Sequence, residues 1–135
     1  MRNRYQLISP LVILILIFFC SHAFSQSAID YERALRSFNQ ENFDEAYIHL
    51  KNSLQDNPSH LQSKLMIADI LLRRNLTRAA IVEYEESLLL GADLNIAYFP
   101  LAKAYTRIRD NNKVVSLKTN NLNKKNKIEI ISLQA

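Results

Sequence analysis

The sequence is poor in the residues that build nucleotide loops and covalent cross-links. Among 135 residues it has one glycine, one cysteine, three prolines and no tryptophan. A single glycine, Gly91, cannot supply a glycine-rich phosphate-binding loop. The lone cysteine, Cys20, has no partner for an intramolecular disulfide. These shortages exclude P-loop nucleotide binding and disulfide-stapled folds, and they leave long stretches free to form helices.

Charge is unevenly distributed along the chain, whose formal net charge is +4. Residues 26–106 hold eight Lys and Arg against eleven Asp and Glu, whereas residues 107–135 hold seven against two. The basic excess therefore lies outside the central part of the chain. Because a nucleic-acid interface needs basic residues concentrated on the folded surface, we expect no nucleic-acid partner.

Residue types that carry catalysis or bind metals are present without the spacing that such sites need. The three histidines, His22, His49 and His60, have no Cys or Glu in register as a co-ligand. His49 and His60 are predicted to be solvated helix residues. The acidic side chains within residues 83–86 diverge around a helix and predict a solvated face. We expect no enzyme, no catalytic residue, no metal and no cofactor.

A shift of 34 residues brings the chain into register with itself. Ala34 then aligns with Ala68 and Ala102, and Ala46 aligns with Ala80. A fixed period of this length is typical of helix–turn–helix units stacked into an array. Apolar residues recur within each unit at i, i+3, i+4 and i+7, which predicts two amphipathic helices. The small residues allow the helix backbones to approach closely.

These periodicities and punctuating residues give the boundaries of six helices. Asn42 with Glu45 three residues later predicts a capping box. Gly91 predicts a left-handed end for the fourth helix, and Asp93 or Asn95 can cap the fifth. The predicted helices cover residues 29–39, 43–55, 60–73, 77–90, a stretch ending near 108, and 112–118.

Pro100 bears on where the fifth helix begins. Proline lacks an amide hydrogen and clashes with the carbonyl four residues earlier, here that of Ile96, so it is best tolerated in a first turn. The helix either begins near Ala97 or Tyr98, or it begins near Asn95 and bends at Pro100. We expect the late start, because the residue before a proline avoids the helical region.

The repeated positions resemble the tetratricopeptide repeat over residues 27–118. They depart from it where Arg33 replaces a usual leucine and where Glu41 and Asn75 replace a turn glycine. The resemblance implies an all-α fold, a right-handed α-solenoid of about three helix pairs. The matching residues are Ala34, Ala68, Ala102, Ala46, Ala80, Leu50, Tyr84, Ser53, Ser87 and Pro58.

In that family the first helix of each pair lines a concave groove, and the resemblance implies a protein or peptide ligand there. Leu35, Asp69 and Lys103 share one position of the family's carboxylate clamp, so capture of chaperone tails is not expected. The alternative is that the aromatic residues only pack. The implied groove residues are Tyr31, Leu35, Phe38, Asn39, Leu65, Asp69, Leu72, Arg73, Phe99, Lys103, Thr106 and Arg107.

The beginning of the chain has the pattern of an export signal. A basic start and an apolar run over residues 7–20 precede the small residues Ala23 and Ser25. This pattern predicts a secretory signal peptide cleaved before Gln26, with an uncleaved anchor or lipidation at Cys20 as alternatives. We expect secretion across the inner membrane to a periplasmic or envelope-associated location, with membrane contact only through this segment.

The end of the chain is basic and polar before it turns apolar again. Residues 118–127 predict a linker without periodicity. Residues 128–133 predict the start of a fourth repeat in a longer array, with a β-strand as the alternative. The predicted organisation is a signal peptide or membrane anchor over 1–25, a repeat domain over 26–118, and a basic linker with a truncated fourth repeat over 119–135.

A narrower resemblance is carried by four segments, residues 31–35, 43–54, 90–93 and 101–105. They look like the start of the repeat-containing lipoproteins of bacterial exosortase (PEP-CTERM) and exopolysaccharide systems. The resemblance implies a protein–protein interaction scaffold of the cell envelope, active in exopolysaccharide or surface-protein export. The alternative is a periplasmic assembly chaperone or accessory factor for pilus or outer-membrane proteins.

Overall fold

A computed structural model describes residues 26–134, which form seven helices and no strand. Each helix from α2 onward packs against the next, and α5 also contacts α3 and α7. The predicted all-α class is confirmed. The helices are α1 (residues 26–39), α2 (Phe43–Asp56), α3 (Leu61–Arg73), α4 (Thr77–Leu89), α5 (Leu94–Arg107), α6 (Asn111–Ser116) and α7 (Lys124–Gln134).

The 34-residue period of the sequence recurs in the backbone. Helices α1, α3 and α5 end at residues 39, 73 and 107, and α2, α4 and α6 begin at residues 43, 77 and 111. The three turns between them place Glu41, Asn75 and Arg109 at the same φ of 60°. A positive φ is uncommon for a residue with a side chain. Its recurrence at one interval shows that the three units share one turn geometry.

The predicted helix caps are confirmed at two places. The Asn42 side chain accepts a hydrogen bond from the Glu45 amide at 3.4 Å and donates one to the Glu45 carboxylate at 2.8 Å. Gly91 follows α4 with a φ of 94°, a conformation that costs glycine little. Local side-chain chemistry therefore fixes the start of α2 and the end of α4.

The late start predicted for α5 is wrong, because the helix begins at Leu94 and contains Pro100. The Asp93 carboxylate accepts a hydrogen bond from the Asn95 amide at 2.9 Å. The Asp93 carbonyl accepts another from the amide of Ala97, which is fully buried. The cap and the burial of this first turn offset the one hydrogen bond that the proline removes.

The last helix begins earlier than the apolar segment that predicted it. Helix α7 starts at Lys124, inside the predicted linker, and the strand alternative is wrong. The Asn123 amide donates to Asn95 Oδ1 at 2.8 Å, and Asn126 Nδ2 donates to the Asn95 carbonyl at 2.5 Å. Ile130 is fully buried. Polar contacts to the start of α5 thus hold the first turn of α7.

The core runs along the contacts between successive helices. The predicted small positions are fully buried, and larger side chains fill the space beside them. This pattern explains why alanine recurs where the helices approach most closely. The fully buried small residues are Ala34, Ala46, Ala68, Ala80 and Ala102, and the large ones include Leu50, Ile67, Ile70, Tyr84 and Leu101.

The signal-peptide or anchor prediction, including Cys20, lies outside the described residues. Within residues 26–134, none of the helices has the length and apolar character needed to span a bilayer.

Candidate partner-binding groove

The residues predicted to line a groove lie on α1, α3 and α5, at matching distances from the ends of these helices. The apolar members are half-buried, so each packs on one side and remains accessible on the other. The charged members are exposed. The half-buried residues are Tyr31, Leu35, Phe38, Leu65 and Phe99, and the exposed ones are Asp69, Arg73, Lys103 and Arg107.

Arg73 lies against two aromatic rings from the preceding unit. Its guanidinium carbon is 5.3 Å from the centroid of Phe38 and 5.2 Å from that of Phe43. The two rings meet edge-on, with centroids 5.4 Å apart. This geometry suits cation–π attraction and holds the guanidinium in place. Phe43 was not among the predicted groove residues, because the groove was assigned to the first helix of each pair and Phe43 begins α2.

Arg107 makes the corresponding link one unit later. Its Nη1 donates a hydrogen bond to the Leu72 carbonyl at 3.1 Å, in the last turn of α3. Carbonyls in a last turn have no partner within their own helix. Arg73 and Arg107 stand one repeat period apart, and each reaches back to the unit before it. The 34-residue period of the sequence alone predicted that these two arginines occupy equivalent positions.

Asp69 is held by a tyrosine from α4. The hydroxyl of Tyr84 donates a hydrogen bond to Asp69 Oδ1. Although Asp69 as a whole residue is exposed, desolvation of its carboxyl group raises the pKa of Asp69, while the hydrogen bond from Tyr84 and then the nearby Arg73 lower it by smaller amounts. Burial raises the pKa of Tyr84, whose side chain is almost wholly buried. The one predicted groove carboxylate therefore already has a donor.

No carboxylate pairs with the cations among the predicted groove residues in residues 26–134. Arg73, Lys103 and Arg107 form no ion pair within the part of the chain that the structure describes. The Lys103 ammonium lies 5.5 Å from the ring centroid of Phe99. Elsewhere, by contrast, Lys64 contacts a carboxylate oxygen of Glu86 at 2.8 Å. The predicted groove thus carries three cations that remain available to an anionic ligand.

One predicted groove residue has a neighbour that the sequence did not indicate. The ring of Tyr31 packs at 5.1 Å from that of His60. His60 was predicted to be a solvated helix residue, and this is wrong. It is the half-buried N-cap of α3, where Nδ1 accepts a hydrogen bond from the Ser63 amide at 3.3 Å. Burial lowers the pKa of His60.

An open cavity of about 470 Å³ lies at the turn between α3 and α4. It is lined by residues 75–79 and by Ile108, with Arg78 as its only titratable side chain. The cavity therefore offers no acid–base pair. Among residues 26–134, no group of three or more His, Cys, Asp and Glu side chains is placed to hold a metal ion.

No protein-family model matches the chain, and it matches no curated protein and no solved structure.

Proposed function

We propose that the chain is a right-handed solenoid of tetratricopeptide-like helix pairs that binds an extended protein segment along α1, α3 and α5. One observation carries the proposal: helix ends, helix starts and positive-φ turns all recur at intervals of 34 residues. Equal intervals place equivalent side chains of three units in rows. Such rows suit an extended ligand whose residues also repeat at a regular spacing.

The side chains in these rows indicate the chemistry of the ligand. Tyr31, Leu65 and Phe99 form an accessible apolar row, one residue from each unit. Arg73 and Arg107 form a parallel row of cations without ion-pair partners. Guanidinium groups bind carboxylates through charge-assisted hydrogen bonds. The ligand we propose is therefore a segment that alternates apolar and acidic side chains.

The cellular setting proposed is the bacterial envelope, with a scaffold role in exopolysaccharide or surface-protein export. The leader-like pattern before residue 26 and the resemblance described above support this setting. A periplasmic chaperone for pilus or outer-membrane proteins would use the same groove on transient substrates. Photocrosslinking from Leu65 in the envelope fraction separates the two roles: export components among the products favour the scaffold, and pilus or outer-membrane subunits favour the chaperone.

A binding experiment tests the groove itself. A fluorescent twelve-residue peptide of alternating Leu and Glu is titrated with the full chain, beside a peptide in which Lys replaces Glu. We expect the acidic peptide alone to bind, and the double variant Arg73→Glu/Arg107→Glu to weaken binding by at least about tenfold, since 1.4 kcal/mol corresponds to that factor.

The double variant Lys51→Glu/Lys125→Glu is the matched control, because it changes the net charge by the same amount. Lys51 on α2 and Lys125 on α7 are exposed and lie outside the proposed groove. We expect this variant to bind the acidic peptide as the parent chain does. Equal losses in both variants would indicate a general charge effect, and binding of the lysine peptide would contradict the proposed ligand chemistry.

A further inference from the structure

A chain of side-chain hydrogen bonds joins His60 to three serines. His60 Nδ1 lies 2.8 Å from Ser63 Oγ, which lies 2.9 Å from Ser53 Oγ. Ser53 Oγ lies 3.0 Å from Ser27 Oγ, and Ser27 Oγ is also 2.9 Å from the Ser53 carbonyl. This series of hydrogen bonds begins at the His60 imidazole, which can gain a proton, and ends at the Ser53 carbonyl.

These groups come from three different helices and are shielded from water. Ser27 of α1 is 1% exposed, and Ser53 of α2 and Ser63 of α3 are 0% exposed. A buried hydroxyl has one hydrogen to donate and must find its partners within the protein. Whether a hydroxyl donates or accepts in one of these hydrogen bonds is therefore set by the adjacent hydrogen bonds of the series. The four residues, including His60, form a single polar junction between α1, α2 and α3.

With neutral His60, the hydrogen bonds run toward the imidazole. Bare Nδ1 accepts from the Ser63 amide, which is the N-cap contact of α3, and it can also accept from the Ser63 hydroxyl. Ser53 then donates to Ser63 Oγ, and Ser27 donates to Ser53 Oγ in place of the Ser53 carbonyl, which keeps the Asn57 amide as its donor. Every hydroxyl hydrogen is used, and α3 keeps its cap.

With protonated His60, the same groups bond in the opposite direction. Nδ1 now donates to the Ser63 hydroxyl, Ser63 donates to Ser53, and Ser53 donates to Ser27. Ser27 donates to the Ser53 carbonyl, which it already contacts at 2.9 Å. The hydroxyl bonds survive, but the Ser63 amide loses its acceptor. A positive charge also stands at the N-terminus of α3, where the helix dipole opposes it.

We propose that His60 is a protonation switch: gain of a proton reverses the three serine hydroxyls and removes the N-cap hydrogen bond of α3 at its junction with α1 and α2. The inference goes beyond ligand binding and does not depend on the proposed groove function.

The surroundings of His60 leave its charge uncompensated. From α1 it faces Tyr31, whose pKa is raised by burial and which stays neutral. α2 contributes the hydroxyl of Ser53, and the preceding loop offers the Asn57 carbonyl, which accepts from the His60 amide at 3.1 Å. The next cation along α3, Lys64, is paired with acidic residues of α4.

The sign of the pH dependence follows from these surroundings. Burial lowers the pKa of His60 below its ordinary value of 6.5, so the unfolded chain binds the proton more tightly. The stabilisation contributed by neutral His60 is complete above pH 6.5 and is lost as the pH falls through the pKa of the folded protein. Acid conditions should therefore weaken this junction.

The first test compares melting temperatures of the full chain with those of His60→Asn. Asparagine can still cap α3 but does not titrate in this range. We expect the parent chain to melt about 2–8 °C lower at pH 5 than at pH 7.5, the shift that loss of one helix cap gives in a domain of this size. The variant should lose most of that difference. Equal pH dependence in both proteins would overturn the proposal.

The second test follows the transmission to α1 by NMR. The amide resonances of Ser63, Ser53 and Ser27 in the full chain should shift with pH at the midpoint of the His60 imidazole. In Ser53→Ala the hydroxyl chain is interrupted, and the Ser27 shift should vanish while the Ser63 shift remains. Should Ser53→Ala fail to fold, the parent titration decides: a Ser27 resonance that does not follow His60 overturns the relay.

Discussion

At the scale of single residues, Tyr84 shows how one hydroxyl connects the interior to the predicted groove. The Tyr84 ring is almost wholly buried between helices, while its hydroxyl donates to the carboxylate of Asp69 on the groove side. Packing and polar contact are thus supplied by a single side chain. The two contributions can be separated by removing only the oxygen atom.

Tyr84→Phe keeps the ring and removes the hydrogen bond. We expect the free energy of unfolding to fall by about 1–2 kcal/mol, the range for a hydrogen bond to a partly solvated charged group. A double-mutant cycle with Asp69→Ala should show a coupling of about 0.5–2 kcal/mol between the two residues. Urea denaturation measures both quantities. Tyr47→Phe is the control, because the Tyr47 hydroxyl makes no hydrogen bond within the described residues. Equal losses at the two tyrosines would refute the coupling.

The stability contributed by the Asp69–Tyr84 pair changes with pH in the opposite direction to that contributed by His60. Because burial raises the pKa of Asp69 above 3.8, the folded state favours the protonated carboxyl. The resulting stabilisation is complete below pH 3.8 and is lost as the pH rises through the pKa of the folded protein. We expect Asp69→Asn to flatten the unfolding free energy across this acidic range. An unchanged profile, recorded by urea denaturation between pH 3 and 6, would contradict this assignment.

The sequence predicted the buried small residues, whose roles depend on side-chain size and on the repeat period. It did not predict the helix cap at His60, whose role depends on the conformation of a loop. The small residues at 34, 46, 68, 80 and 102 were predicted from spacing and are fully buried. His60 was not recognised as a cap, because histidine is an unusual capping residue and its ring is placed by the loop after α2. No local pattern encodes that loop conformation.

At the scale of helices, α5 shows that packing against neighbouring helices can outweigh the preference of proline for the first turn of a helix. Pro100 lies in the interior of α5, where it removes one hydrogen bond to the Ile96 carbonyl. The predicted late start depended on that penalty and on the backbone preference of the residue before proline, both of which are local. The burial of Ala97, Leu101 and Ala104 depends on the neighbouring helices and could not be predicted from the local sequence. The start of α7 was missed similarly, since its first turn bonds to Asn95, which is distant in sequence.

Pro100→Ala should stabilise the protein. Alanine restores the amide hydrogen and removes the clash in α5, against a smaller loss of the rigidity that proline gives the unfolded chain. The net gain should reach about 1–2 kcal/mol. Thermal unfolding followed by circular dichroism measures it. An unchanged or lower melting temperature would mean that Pro100 itself is needed for the packing of α5.

Ala80→Trp should have the opposite effect through overpacking. Ala80 is fully buried in α4, so a large ring forces the neighbouring helices apart, at a cost of about 1–3 kcal/mol or more. Leu89→Trp is the control, because Leu89 is 88% exposed on the same helix. The chain contains no other tryptophan, so fluorescence reports on each site separately. Unaltered melting of Ala80→Trp would exclude the close-packing role.

At the scale of the whole molecule, the question is whether a core substitution lowers the stability of every helix or only that of the helices next to it. The units contact their neighbours in sequence: α3 and α5 meet, α5 and α7 meet, and each helix from α2 onward packs on the next. In a stacked array of repeats, the stability of one unit depends only on its own packing and on adjacent interfaces. A single compact domain would instead lose stability throughout when any core residue is truncated.

Ile130→Ala distinguishes these two cases. Ile130 is fully buried in α7, and truncation of a buried isoleucine costs about 2–5 kcal/mol. If the helices form the proposed solenoid, amide hydrogen exchange should accelerate in α7 and α6 and in the adjacent part of α5, while α2 and α3 keep their protection. Ile128→Ala is the control, because Ile128 is 59% exposed on the same helix and its truncation should leave exchange almost unchanged. If protection falls by the same factor from α2 to α7, the helices unfold as one cooperative unit and the solenoid proposal fails.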